Sequence, residues 1–318
     1  MKILFTFLLS FLFFSTHAQK NFSVGHYNLE NLFDTIDQPN VKDEEFLPNG
    51  KNQWNSERYL KKLNRMAQAI AALNGGKGLA ILGVCEVENE QVLKDLVKQK
   101  SLKKFGYHVG HIDSKDPRGI DVAFLYQPKL VKLEGLYAFQ PDRFADSAFL
   151  SRPILLMVGK TKKGTVYAME NHWPSRSGGT EQSAPRRLAT AKLMAFLADS
   201  LERANPSAQI IAMGDFNDEP NDVSMQLVKK STHLINAMEA WPKEEGTHFY
   251  QKEWSKLDQI LYNQAWTFET PVAKAEKLPF LLEQDGKYKG NPFRTYVGPK
   301  YLGGYSDHMP VTLQFIFK

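Results

Sequence analysis

The chain holds a single cysteine, Cys85, among 318 residues. No disulfide can form within it, and a cysteine-based zinc site is excluded. Cys85 lies in the apolar run LAILGVC, where a small buried strand residue is expected rather than a nucleophile. No GxxxxGK[ST] phosphate loop and no GxSxG elbow occur, so phosphoryl transfer from ATP and serine hydrolysis lack support. Beyond the N-terminus no apolar run is long enough to span a bilayer. Repeats, low-complexity tracts and a composition shift marking a linker are also missing, which favours one domain.

The N-terminus is MKILFTFLLSFLFFSTHAQK. Lys2, the apolar stretch from Ile3 to Phe14 and the short polar tail ending at Ala18 follow the plan of a secretory signal peptide. We expect residues 1–18 to be a signal peptide and residues 19–318 a single domain, exported to the periplasm or beyond the cell. Stable membrane insertion is not expected, nor is a lipid anchor, and a monomer is assumed. The formal net charge is +5, compatible with an anionic substrate.

Two helix-plus-strand blocks flank a run of strands. Leu60, Leu63, Met66, Ile70 and Leu73 recur at helical spacing after a capping Asn55 or Ser56. A second amphipathic helix is expected at 184–204, and shorter ones at 90–99 and 222–230. Apolar runs predict strands at 21–28, 79–85, 106–112, 120–128, 130–137, 152–160, 164–173, 208–213, 257–262 and 309–316. Residues 34–55 read as a surface loop and 263–306 as mostly irregular. The pattern is mixed α/β with antiparallel stretches.

Six of these apolar strands carry acid, amide or imidazole groups. IIAMGDFNDEP delivers Asp215 and Asn217, which point the same way on an extended backbone. LAILGVCEVEN delivers Glu86 and Glu88, HYNLEN delivers Asn28 and Glu30, and ENHW delivers Asn171 and His172. KLDQILY places Asp258 inside an apolar strand, and YSDHMPV delivers Asp307 and His308. Each alone is read most simply as a solvated strand end or a satisfied polar group. Together they favour a site, because oxygen ligands without cysteine suit Mg²⁺ or Mn²⁺. Carboxylates, amide and histidines around a hard cation point to metal-assisted phosphoester hydrolysis.

The ordered series YNLEN, CEVEN, NHWPS, GDFNDEP, LDQILY and YSDHMPV resembles the endonuclease/exonuclease/phosphatase superfamily, the DNase I-like hydrolases. The resemblance implies an α+β fold, a four-layer α/β/β/α sandwich of two packed, mainly antiparallel sheets. It implies a divalent metal held by Asn28 and Glu86 with Asp307 close by. Asp215 and Asn217 would orient nucleophile and phosphate, His308 would act in acid–base catalysis oriented by Asp258, and His172 would contact the scissile phosphate. Some members pair the first histidine with a carboxylate on a neighbouring strand; here Asp121, or Arg118 beside it, is the candidate partner.

The substrate expected is a phosphoester, with nucleic acid preferred. Arg176, Arg186 and Arg187 follow His172 and suit phosphate contacts, or form a loop feeding a helix with Arg187 solvated. Lys287, Lys289, Arg294 and Lys300 alternate with Tyr288, Phe293, Tyr296 and Tyr301, a pattern that suits a nucleic-acid strand. The alternative is a lipid phosphodiesterase or phosphatase, for which LPFLLEQ at 278–284 offers an apolar wedge. A binding module that has lost its chemistry is the weaker reading, since every key position is filled.

Overall fold

The apolar strand at 208–213 is buried on both faces, and this reveals the layering. In β8 (Gln209–Asp215), Ile211 and Met213 join one apolar cluster while Ile210 and Ala212 join another. Side chains alternate along a strand, so a continuous apolar run requires cover on both sides. The computed structural model describes residues 21–145, 151–266 and 270–317. The expected signal peptide lies outside the described residues.

Two six-stranded sheets pack face to face. The first runs β13 (Val272–Ala275), β16 (Val311–Ile316), β1 (Asn21–Leu32), β2 (Ile81–Val87), β4 (Asp121–Tyr126), β3 (His108–His111). The second runs β5 (Lys132–Phe139), β6 (Ile154–Thr161), β7 (Gly164–His172), β8, β12 (Asp258–Tyr262), β9 (Ile235–Asn236). Each sheet has one parallel pair, β1 with β2 and β7 with β8; the other neighbours are antiparallel. The parallel pairs are joined through helices, α1 (Ser56–Ala72) and α3 (Thr180–Ala204), as parallel crossovers require. The hairpins β10 (His248–Tyr250) with β11 (Glu253–Ser255) and β14 (Tyr296–Val297) with β15 (Lys300–Tyr301) complete the strands. Both fall in stretches with no clear alternation in the sequence.

Helix α1 starts where Asn55 Oδ1 accepts the Arg58 N–H (3.0 Å), which satisfies a free end donor. It stops where Asn74 and Gly75 turn to φ 53° and 60°. Leu63, Met66 and Ile70 pack with α2 (Glu90–Val97) onto the outer face of the first sheet. Helices α3 and α4 (Val223–Ser231) cover the outer face of the second. Between the sheets lies the third cluster, with Val24, Ile81 and Phe124 against Met157, Ile211 and Ile260. The result is the helix–sheet–sheet–helix sandwich expected. Boundaries differ: β1 runs on to Leu32, not 28, and α3 begins at Thr180, not 184, with Pro185 inside the helix. There Ser183 Oγ donates to the Gly179 carbonyl (2.7 Å), and the extra turn precedes the proline.

Candidate active site

The registers of the second sheet line up three titratable side chains. His172 lies opposite Asp215 on the parallel neighbour, and Asp215 lies opposite Asp258 on the antiparallel one. The ends of β1 and β2 bring Asn28 and Glu86 to the same edge from the other sheet, and the turn before β16 brings Asp307 and His308. Hydrogen bonds cross the seam. Asn28 Nδ2 donates to Glu86 Oε1 (3.1 Å) and to Asp215 Oδ2 (3.2 Å). His308 Nδ1 stands 2.7 Å from Asp258 Oδ2, while its Nε2 is 3.8 Å from Asp215 Oδ2. His172 Nε2 is 3.8 Å from Glu86 Oε1 and 3.9 Å from Asp215 Oδ2.

The backbone is bent to achieve this. Glu30, Asn31, Glu86 and Asn217 take φ of 49°, 54°, 57° and 50°, a conformation that costs a non-glycine residue roughly 1–3 kcal/mol. The pairings of β1 with β2 and of β2 with β4 both slip at this edge. Such bulges re-aim side chains, and Glu86 Oε2 is turned to accept the Asn31 N–H (3.0 Å). The idea that Asp215 and Asn217 extend side by side is corrected here. β8 ends at Asp215, and Asn217 folds back so that its N–H donates to Asp215 Oδ1 (2.9 Å) and its Nδ2 to the Trp173 carbonyl (3.0 Å). Gly214 has φ 152°, and a Cβ on it would sit 2.1 Å from the Asn171 carbonyl oxygen. The glycine of GDFN is thus needed for β7 to pass.

The groups differ in charge preference. Burial, followed by Asp258, pushes the Asp215 carboxyl up to about 6, against the pull of His308. Burial would also raise Asp258, but His308 and His26 hold it well below the carboxylate range. Burial would discharge His308, yet Asp258 and Asp215 keep its imidazole protonated well above the usual value. His172 has the opposite fate: burial, then the charges of Arg152 and Arg118, lower it well below 6.5. Two histidines in one site therefore differ in charge preference.

A second pair stands behind the first and was not singled out from the sequence. His26 Nδ1 donates to Glu170 Oε1 (2.6 Å), and His26 Nε2 lies 3.2 Å from Asp258 Oδ1. Both His26 and Glu170 are fully buried. A chain of acid and imidazole thus runs Glu170–His26–Asp258–His308. The signal was available: each is a charged-type residue inside an apolar strand, the same anomaly that marked Asp258. Gly83 makes room for Glu170, since a Cβ there would lie 1.6 Å from its Oε2. His248 was also missed; its ring lies 4.7 Å from that of His308.

The remaining candidates have other partners. Asp121 is not the partner of His172: it binds His111 Nε2 (2.8 Å) and the Ser114 N–H (3.0 Å). His172 Nδ1 is buried with no hydrogen-bond partner among the described residues. Its carbonyl is instead held by Arg152 Nε (3.2 Å), whose Nη1 binds Asp116 (2.9 Å). Arg118 is half-exposed and paired with the same Asp116. Arg176 is engaged by the turn after β8, on the Asn217 carbonyl (2.8 Å) and Asp222 (2.5 Å). Arg187 is buried, not solvated, and its Nε lies 2.7 Å from Asp218. Arg186 is exposed on α3.

The donor set fits a hard cation. Carboxylate oxygens of Glu86 and Asp215 converge on one amide, and Asp215, Asp258 and His308 lie within 4.8 Å of one another, as do His248, Asp307 and His308. Asp307 is secured by Arg294 Nη2 (2.7 Å). Asn28 turns its Nδ2 toward the cluster, while its Oδ1 accepts the Glu30 N–H (2.9 Å). In this orientation it aligns Glu86 and Asp215, and the carboxylates that would hold a metal are those of Glu86 and Asp307.

The sequence profile described as "Endonuclease/Exonuclease/phosphatase family" matches residues 23–316. The chain belongs to this family. Its fold is also found in truncated TDP2 from Caenorhabditis elegans, at 15% identity and a TM-score of 0.59 over 93% of this chain and 97% of that one. A mannosyl-6-phosphatase of Bacteroides thetaiotaomicron shares it at 18% identity and a TM-score of 0.56 over 93% and 100%. An endonuclease/exonuclease/phosphatase family protein of the same organism does so at 17% and 0.54 over 94% and 98%. No curated protein matches the chain. The family is hydrolytic and acts on phosphoesters, and among the described residues no helix is long and apolar enough to cross a membrane.

Proposed function

We propose that the chain is an exported phosphodiesterase that cleaves nucleic acid with an activated water and a divalent cation, Mg²⁺ or Mn²⁺. The observation that carries this is the row His172–Asp215–Asp258 facing Glu86 and His308 across the seam, with two histidines of opposite charge preference. Asp215 is placed to take a proton from water, since its carboxyl sits near 6 and a base works best near the operating pH. His308, kept protonated by Asp258, offers Nε2–H to the phosphate or to the departing oxygen. His172 stays neutral and faces the same space with Nε2. Asn217 and Asn28 fix the carboxylates by hydrogen bonds. A cation on Glu86 and Asp307 would supply charge neutralisation at the phosphoryl oxygens.

The lipid reading loses the feature that suggested it. Leu281 is buried, Leu278 and Leu282 pack on the first sheet's core, and Phe280 lies 5.4 Å from Tyr305. The leucines of LPFLLEQ are thus part of the packing, and of its apolar residues only Pro279 and Phe280 stay exposed. A monoester arm belongs in the test, because one protein of this fold is named a mannosyl-6-phosphatase.

The test is supercoiled plasmid with the mature protein, with Mg²⁺, with Mn²⁺ and with EDTA. Nicking is expected with either metal and none with EDTA. Release of phosphate from mannose 6-phosphate, with the plasmid untouched, would overturn the nuclease reading. Export is tested by sequencing the N-terminus of the exported protein, which is expected to begin at Gln19; a retained leader would refute it.

A further inference from the structure

A cavity of 710 Å³ opens beside the catalytic cluster, and its lining is unlike that of the cluster itself. Four cations line it: Lys42, Lys51, Arg118 and Arg294. The half-buried rings of Phe46 and Tyr296 line it as well. It meets the cluster at residues that already bind it, because Arg294 holds Asp307 and the Asn31 N–H holds Glu86.

The walls are built and not incidental. The Lys42 N–H donates to the Pro117 carbonyl (2.8 Å), tying the 42–54 loop to the 113–119 loop. Gly119, at φ 63°, lets these loops touch, since a Cβ there would lie 2.5 Å from Val41 Cγ1. Opposite, Tyr296 Oη donates to the Asn52 carbonyl (3.0 Å) and fastens the β14–β15 hairpin to the first loop. Phe46 stacks on Phe33 at 4.2 Å, and both Phe46 and Tyr296 contact Trp54.

Charge is left over. Arg118 and Arg294 are partly neutralised by Asp116, Glu30 and Asp307. Lys51 reaches Glu45 only at 3.8 Å and is three-quarters exposed. Lys42 makes no ion pair among the described residues and is exposed. A single phosphate bound at the catalytic cluster would leave these lysines unused. Cationic side chains and aromatic rings lining one cavity suit a sugar-phosphate backbone with bases that can stack.

We propose that this cavity is a subsite for the neighbouring nucleotide of a nucleic-acid strand whose scissile phosphate lies at the cluster. Lys42 and Lys51 meet the adjacent phosphate, and Phe46 and Tyr296 meet the base. The proposal rests on the phosphodiesterase reading and makes the preferred substrate a strand, not a compound with one phosphate.

The test uses a Lys42→Ala/Lys51→Ala variant and two substrates, a single-stranded DNA oligonucleotide and bis(p-nitrophenyl) phosphate, which has no second phosphate. The ratio of kcat/KM for the oligonucleotide to that for the small diester is expected to fall about tenfold, mainly through KM, with a shallower salt dependence. Binding of a fluorescein-labelled oligonucleotide in EDTA, followed by anisotropy, is expected to weaken similarly. An unchanged ratio and unchanged anisotropy would overturn the subsite. If the unmodified protein hydrolyses neither substrate, the phosphodiesterase reading falls, and the anisotropy alone decides the subsite: weaker binding in the variant supports it, equal binding refutes it. Should mannose 6-phosphate prove the substrate while the variant binds the oligonucleotide as tightly as the unmodified protein, the strand proposal is refuted.

Discussion

Replacing His308 with alanine is expected to lower kcat by about a thousandfold, within the range that a positioned general acid or base contributes. The imidazole stands between two carboxylates, 2.7 Å from Asp258 and 3.8 Å from Asp215, and they hold its proton in place against burial. Removing it takes away the proton donor and also the charge that holds Asp215 from rising further. Asp258→Asn keeps the shape but withdraws the carboxylate, so it is expected to cost nearly as much. Because the two act as one unit, the double variant should be scarcely worse than either alone. The assay is turnover of bis(p-nitrophenyl) phosphate at saturating Mg²⁺, with thermal denaturation run in parallel to show that each variant is folded. A folded His308→Ala protein within tenfold of the original rate would remove His308 from the chemistry.

Much of this site was legible in the sequence because strand ends report themselves. An apolar run that breaks into Asp, Asn or His is visible without coordinates, and six such breaks in order identified Asn28, Glu86, His172, Asp215, Asp258 and the Asp307–His308 pair. The sandwich followed from the family resemblance, whereas the apolar strands and two amphipathic helices by themselves reach only a mixed α/β fold with antiparallel stretches. What could not be read was geometry that departs from regular strands. Asn217 was placed by assuming an extended backbone, whereas a positive φ folds it back onto Asp215. The face that Asp121 takes depends on register, which a shift of one residue inverts; it faces His111. Arg176 and Arg187 look like free cations in sequence, but Asp222 and Asp218 engage them. Lys62 was hidden in α1, where it is buried and donates to the Tyr305 carbonyl. Partners 243 residues away leave no local trace.

His26 and Glu170 lie 144 residues apart, and their pairing yields the largest expected effect on stability. Each strand contributes one charged group to a space closed on all sides, opposite Gly83. Removing one partner of such a buried pair costs about 3–5 kcal/mol, because the other is left uncompensated. His26→Ala is therefore expected to destabilise the metal-free protein by about that much, measured by denaturant unfolding in EDTA at pH 6.5. His26→Leu with Glu170→Met, an apolar pair of similar volume, should recover most of the loss. The pH dependence follows from the direction of the shift. Burial alone would lower the His26 imidazole, but Glu170 and Asp258 outweigh it and push it up to about 10. A cationic group raised on folding gives stability that is complete below its unfolded value near 6.5. That stability is lost as pH climbs through about 10. The stability of the original protein relative to His26→Leu with Glu170→Met, in which neither group titrates, should accordingly fall as pH rises from about 7 toward 10. A cost below about 1 kcal/mol, or a relative stability that stays constant with pH, would show that the imidazole carries no charge in the fold. The chain from Glu170 to His308 would then be packing rather than a linked set of charges.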